Sequence, residues 1–293
     1  MVPIKIAVAS GKGGTGKTMV ATSLAVCLAE IHSVQILDCD VEAPDTHLFL
    51  KPTITENQPA TLLLPQIDEY LCTTCGICVD NCVYHALAKA GDKILVFPQL
   101  CHGCGSCQLL CPEKAITEMP REIGQINLGE TDSGIRFGMG ELTISEPMGT
   151  PIIHQLKKYS DEAREFIILD SPPGASCSVV ATLYNTDYVL LVTEPTPFGL
   201  HDLKQMIGVL SVLDIPGGVI INRDGIGDNQ VENFLTGTPY PILMRIPFHA
   251  EIAQGLARGQ VLVDFSPNYS EQFNMLYENI INIVEHRRLL PQS

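Results

Sequence analysis

Short runs of β-branched and aliphatic residues recur at both ends of the chain. They alternate with stretches whose apolar residues return every three to four positions. The runs Ile4–Ala9, Val34–Asp38, Phe166–Asp170, Tyr188–Thr193, Gly218–Asn222 and Ile242–Ile246 are apolar on both faces, as buried parallel strands are. Helical spacing marks Lys17–Ile31, Ile152–Arg164, Leu200–Leu213, Ala250–Arg258 and Ser270–Arg287. This alternation predicts an α/β fold with a doubly wound, mostly parallel sheet and right-handed crossovers. In the last helix Phe273, Leu276, Ile280, Ile283 and Val284 form one stripe, expected to face the core rather than a membrane.

The rhythm breaks between about Leu62 and Pro120, where cysteine, glycine and short segments replace it. The expected organisation is a discontinuous α/β domain, residues 1–61 and 121–293, with a small α+β domain inserted at residues 62–120. Residues Gly124–Pro151 read as a glycine-rich return path with a strand at Glu141–Ser145.

Composition narrows the class. In 293 residues, 45% are hydrophobic and 17% charged, enough apolar material for a real core. The net charge of −15 has the wrong sign for broad contact with a phosphate backbone, so nucleic acid is not an expected partner. No apolar run approaches the ~18 residues needed to span a bilayer. The N-terminus reads at once as a strand rather than a signal peptide, and a cytoplasmic location is expected.

Strand Ile4–Ala9 runs into Gly11-Lys-Gly-Gly-Thr-Gly-Lys-Thr18, and a helical pattern follows. This is G-x-x-x-x-G-K-[ST] in the strand–loop–helix setting of a phosphate-binding loop. Its glycines let backbone N–H groups close around phosphate oxygens, and the helix N-terminus adds its positive end. Lys17 is expected to reach the β- and γ-phosphates, and the Thr18 hydroxyl to ligate Mg²⁺. Aspartates at the carboxyl ends of parallel strands lie where such folds bind ligands, which selects Asp38, Asp40 and Asp170. A carboxylate there can position water for phosphoryl transfer; for Asp38 and Asp40, helix capping is the alternative.

The second lysine of the loop, Lys12, resembles the deviant Walker A motif of the MinD/ParA/Mrp ATPases, SIMIBI-type P-loop NTPases. Asp38-Cys-Asp40 is similar to their switch I, and Phe166-Ile-Ile-Leu-Asp170-Ser-Pro-Pro-Gly174 to their Walker B strand and switch II. Val192-Thr-Glu-Pro195, Asn222-Arg223 and Ile246-Pro247-Phe248 follow in the family's order. The resemblance implies ATP bound by Gly11, Lys12, Gly13, Gly14, Thr15, Gly16, Lys17 and Thr18. It also implies a dimer, with itself or with a sister ATPase, in which Lys12 touches the partner's nucleotide. Asp40 would orient the attacking water, making Lys12, Lys17 and Asp40 the catalytic set. Thr18 and Asp40 would hold Mg²⁺, with Asp170 acting through a water. Asn222 would read the adenine edge beside Arg223, and the Pro247 loop would close over the base.

Eight of the eleven cysteines fall into two C-x2-C-x2-C-x3-C runs, Cys72, Cys75, Cys78, Cys82 and Cys101, Cys104, Cys107, Cys111, 29 residues apart. The following Ala86-Leu87 and Ala115-Ile116 keep the same offsets, so the segment is an internal repeat. The runs are the pattern of bacterial ferredoxins with two [4Fe–4S] clusters, in which the fourth cysteine of each run reaches across to the other cube. The crossed sets are Cys72, Cys75, Cys78 with Cys111, and Cys101, Cys104, Cys107 with Cys82. Zinc would favour two C-x2-C pairs. Val83 stands where the motif has proline, which Pro112 supplies in the second run; proline stiffens the turn but ligates nothing.

Cys177 follows switch II where the nitrogenase iron protein, a relative in the superfamily, has a cluster cysteine. Without a matching second cysteine it is either an additional metal or redox ligand or a small residue in a turn. Cys27 and Cys39 read as buried, and His102 as a surface histidine or a tuner of a cluster. Together the resemblances imply an ATP- and Mg²⁺-dependent ATPase with two [4Fe–4S] clusters. Its expected role is iron–sulfur or heterometal cluster assembly or transfer to a client protein. The alternatives are ATP-gated electron transfer to a redox partner and, against the acidic charge, ParA-like positioning; membrane is not an expected partner.

Overall fold

The computed structural model describes residues 2–289. Its strands are β1 (Ile4–Ala9), β2 (Val34–Asp38), β3 (Thr53–Ile67), β4 (Leu87–Ala90), β5 (Lys93–Val96), β6 (Ile116–Glu130), β7 (Arg136–Leu142), β8 (Phe166–Asp170), β9 (Tyr188–Thr193), β10 (Gly217–Asp224) and β11 (Ile242–Pro247). The helices are α1 (Lys17–Ala29), α2 (Thr46–Leu50), α3 (Ile77–Asp80), α4 (Ser106–Leu110), α5 (Thr150–Leu156), α6 (Cys177–Leu183), α7 (Pro197–Leu213), α8 (Gln230–Leu235), α9 (Ala250–Ala257), α10 (Leu262–Phe265) and α11 (Asn268–Leu289).

Nine strands form one sheet in the order β11-β10-β9-β1-β8-β2-β7-β6-β3, and β4 and β5 form a separate hairpin. The first seven of that order are parallel. Alternation along β1 shows why the sheet is covered on both sides. Ile6 and Val8 join a core with α1, α10 and α11, while Ala7 and Ala9 join one with α5, α6 and α7. The α11 stripe faces the core through Phe273, Leu276, Ile280 and Val284, which are buried, but Ile283 is exposed. No helix among the described residues is long and apolar enough to cross a membrane.

The sheet departs from the expected pattern at its β3 edge. β6 runs antiparallel to β7, and β3 antiparallel to β6, each of the two being 15 residues long. The boundaries drawn at 61/62 and 120/121 therefore fall inside paired strands, and residues 68–115 sit between their ends, where Ile67 pairs with Ile116. The stretch after Gly124 is largely strand: it holds the end of β6 and all of β7, joined by a turn, and the strand expected at Glu141–Ser145 lies earlier, at Arg136–Leu142. Gly134, at a φ of 81°, makes the turn between β6 and β7, while Gly124, Gly138 and Gly140 are packing sites. A Cβ on Gly124 or Gly140 would lie 2.5 or 2.8 Å from the Ile152 side chain of α5, and one on Gly138 would lie 2.8 Å from Leu37. Helix α5 is also shorter than its apolar pattern suggested, continuing past Leu156 only as the 3₁₀ turn Lys157–Tyr159.

Candidate nucleotide cleft and cysteine centre

Parallel order places the carboxyl ends of β1, β8 and β2 side by side, with Val8 opposite Asp170 and Asp170 opposite Asp38. The glycine loop leaves β1 at that edge. Gly14 and Gly16 take φ of 75° and 97°, conformations that favour glycine. A Cβ on Gly16 would lie 2.4 Å from the Asn222 amide nitrogen, so no larger residue fits there. Gly13 and Gly14 face open space instead, which leaves the concave side of the loop free for an anion. Lys17, 6% exposed, begins α1 below it.

Lys12 does not reach outward in the single chain. Its Nζ donates to Glu194 Oε2 at 2.7 Å, and Arg223 donates to Glu194 Oε1 at 2.6 Å and to the Gly14 carbonyl at 3.2 Å. Glu194 is 4% exposed, so this carboxylate holds both cations against the loop. Its role was hidden in the sequence, because it depends on the ends of β9 and β10 meeting the loop. Asn222 also works on the loop: its amide donates to the Thr15 carbonyl at 2.7 Å and its oxygen accepts from the Arg223 N–H. One amide hydrogen remains beyond that bond to Thr15.

The three aspartates separate in function. Asp38 is fully buried and accepts the backbone N–H groups of Asp40 and Thr46, fixing the loop into α2. Burial, followed by the charge of Asp170, pushes its carboxyl well above the usual range. Asp170 accepts the Thr18 hydroxyl at 2.6 Å and the Thr46 hydroxyl at 3.3 Å through Oδ2, while its buried Oδ1 has no partner. Burial raises it to about 7, against the Thr18 hydrogen bond and the Lys17 charge. Asp40 is partly open to the cleft and pushed up to about 6, again by burial and against Lys17. An unpaired buried carboxylate oxygen beside a threonine hydroxyl is the donor set a hard divalent cation takes, so the residues fit Mg²⁺. Thr46, which binds both buried carboxyls, carried no signal in the sequence.

These groups line a cleft of about 620 Å³, within the range of small-molecule sites. Gly13, Gly14, Gly16, Lys17, Thr18 and Asp40 bound one end, and Asn222, Arg223, Pro247, Phe248 and His249 the other, with Met19, Phe49, Ile252 and Leu256 supplying an apolar wall. The structure thus brings the residues expected at this site to one cleft, except Asp170 beneath it, Gly11 and Lys12 on its flank, and Thr15, whose side chain is buried within the loop.

The eight cysteines of the two runs gather at the tip of the β3–β6 ribbon around two cavities. One is bordered by Cys72, Cys75, Cys78 and Cys111, the other by Cys82, Cys101, Cys104 and Cys107, with Cys78 between them. The repeat is visible in the backbone. Left-handed residues recur 29 positions apart, Thr74 with Gly103, Gly76 with Gly105, and His85 with Lys114. In each half the N–H four residues on donates to the fourth cysteine, Ala86 to Cys82 and Ala115 to Cys111, both at 3.3 Å. Such N–H···S bonds stabilise thiolates. Among the described residues no three His, Cys, Asp or Glu side chains converge as the ligands of one ion. A four-iron cube makes no such demand, since each thiolate binds its own iron. The residues therefore fit clusters of that kind. His102 lies over the second cavity, stacked on Tyr84 at 3.6 Å. Cys177 begins α6 and is exposed, whereas Cys27 and Cys39 are buried as expected.

A strand, a glycine loop and a helix opening on a cleft at the carboxyl edge of a parallel sheet define the P-loop nucleotide-binding class. Residues 6–263 match the family model described as the CobQ/CobB/MinD/ParA nucleotide binding domain, and the chain belongs to that family. It is 32% identical to an uncharacterized protein of Methanocaldococcus jannaschii over 91% of this chain and 95% of the relative. It is 22% identical to the iron-sulfur cluster carrier protein of Methanococcus maripaludis over 97% of this chain and 86% of the relative. The structure of the septum site-determining protein MinD from Pyrococcus horikoshii, complexed with Mg-ADP, superposes with a TM-score of 0.60 at 19% identity, covering 95% of this chain and 96% of that one. That likeness is one of fold.

Proposed function

We propose that the protein is a Mg-ATP-binding and ATP-hydrolysing switch that works as a dimer, carries two [4Fe–4S] clusters, and acts in the assembly or transfer of metal clusters to a client protein. The observation that carries this reading is the pairing of the nucleotide cleft with the two cysteine-lined cavities of residues 68–115. Iron-sulfur cluster carrier proteins among the relatives support the role.

Within the cleft the chain binds and orients. Gly13–Gly16 offer backbone N–H groups to the phosphates, Lys17 neutralises them, and Thr18 with Asp170 would hold the cation, which stabilises the charge that develops at the γ-phosphate. Asp40 stands at the open side, where its carboxylate can accept a hydrogen bond from a water and aim it. Released from Glu194, Lys12 is long enough to extend across a dimer face. The sets Cys72, Cys75, Cys78, Cys111 and Cys82, Cys101, Cys104, Cys107 would hold one cluster each.

Anaerobic maturation of a client with Lys17→Ala tests the role. Loss of maturation is expected; full maturation without hydrolysis overturns it. A second reading, ATP-gated electron transfer, is favoured by the completeness of each four-cysteine set, which suits resident redox centres better than cargo. A redox titration with and without MgATP separates the two. A negative shift well beyond about 59 mV, a tenfold effect for one electron, supports gated transfer.

A further inference from the structure

Residues 68–115 join the rest of the chain through two strands, and those strands are gripped at one point. Toward the sheet, β6 pairs with both neighbours, ending at Gly124 opposite Leu142. Toward the tip it pairs with β3 alone. At the exit the register shifts between Ala60 and Thr61, leaving Ile123 as the extra residue of a bulge, a natural point of bending.

Three contacts hold that point. The Gln155 amide takes both backbone groups of Thr61, accepting its N–H at 3.0 Å and donating to its carbonyl at 2.9 Å. Arg121, opposite Leu62, makes a two-point ion pair with Glu146. The Ile123 carbonyl accepts the Thr143 N–H at 3.0 Å.

Each contact leads back to the cleft. Gln155 lies in the last turn of α5, whose other end meets both switches. The Thr150 and Ser178 hydroxyls lie 3.3 Å apart, and α6 follows the loop after Asp170. A Cβ on Gly149 would lie 2.5 Å from Val41, the residue after Asp40. Thr143 and Glu146 follow Leu142, whose N–H donates to the Val41 carbonyl at 2.8 Å. Ile152 sits close against Gly124 and Gly140, so α5 moves with the strands beneath it.

We propose that this clamp transmits the state of the nucleotide cleft to the cysteine tip, with Gln155 as the positioning residue that sets the ribbon at its bulge. The inference rests on reading the cleft as a nucleotide site. From Thr61 to Ile67 the ribbon runs about 20 Å, so a small tilt at the bulge becomes a larger displacement at the cysteines.

Hydrogen exchange on the iron-loaded full chain, with and without MgATP, tests the clamp in the wild type, Gln155→Leu and Gln155→Glu. The milder Gln155→Glu keeps an acceptor for the Thr61 N–H and removes the donor to its carbonyl. In the wild type, MgATP should change exchange across residues 53–67 and 116–130 by about fivefold, the factor equivalent to one ~1 kcal/mol hydrogen bond. In both variants the response should shrink to less than about twofold, the same factor at half that energy, with MgATP affinity and iron content unchanged. A wild type that binds MgATP without a ribbon response, or variants that respond as the wild type does, overturns the clamp and leaves the nucleotide reading standing. A wild type that fails to bind MgATP refutes that reading, and the clamp with it.

Discussion

Replacing Asp170 by asparagine sets the cost of a buried charge against its use. Asp170 is fully buried beside a second buried carboxyl, Asp38, and one of its oxygens has no partner. Burial raises it to about 7 in the fold, against about 3.9 in an unfolded chain. Because the folded value is the higher, the contribution is fully present below about pH 4 and is lost as pH rises through 7. At about 1.36 kcal/mol per pH unit, the nucleotide-free protein forfeits up to about 4 kcal/mol from this group between pH 4 and 8. Asparagine removes that slope but buries an amide N–H without a partner, at about 1–3 kcal/mol. The variant should therefore be less stable than the wild type at pH 4 and at least as stable at pH 8. MgATP restores the wild-type advantage: at 100 times its Kd a ligand adds about 2.7 kcal/mol, and the variant should gain little of it. Urea midpoints at pH 4 and pH 8, with and without MgATP, measure all four quantities. A variant with the wild-type pH slope, or one stabilised equally by MgATP, would refute this account of Asp170.

Other perturbations address separate parts of the site. Gly16→Ala puts a Cβ 2.4 Å from Asn222 at a φ of 97°, and should weaken nucleotide binding at least about tenfold, or ~1.4 kcal/mol, by isothermal titration. Lys12→Ala leaves Glu194 paired with Arg223, so ATP binding should stay within about threefold while ATP-dependent dimerisation, read by light scattering, is lost; a dimer that persists counts against a reach across the interface. Cys111→Ala should halve the iron to about four per chain and disturb the cluster of Cys72, Cys75 and Cys78, whereas spectral change confined to the other centre would contradict the crossed sets. Lys157 donates to the carbonyls of Ala181, Thr182 and Tyr184 at the end of α6, and Lys157→Met should lower the melting temperature, leaving those carbonyls unpaired.

The chemistry of this protein is written locally and its geometry is not. Gly11–Thr18 and the two cysteine runs were legible because a phosphate loop and a cluster turn need fixed residue types at fixed short spacings. The central strands were legible because burial on both faces leaves continuous apolar runs. Strands β3 and β6 were not, since both are polar at many exposed positions and carry Pro59, Pro65 and Pro120. Proline is tolerated there because the ribbon lies at a sheet edge, a fact no local pattern contains. Strand order alone decided that Glu194 would hold Lys12 and Arg223, and that Thr46 would bridge Asp38 and Asp170. The same holds for Gln155 meeting Thr61 across 94 positions of chain. Sequence by itself determined which groups carry the spacings of phosphate and metal ligands, because those demands act over a few neighbouring residues. Tertiary structure decided which carboxylates are buried and how the cysteine tip is joined to the cleft, because burial and long-range contacts exist only once the sheet has closed.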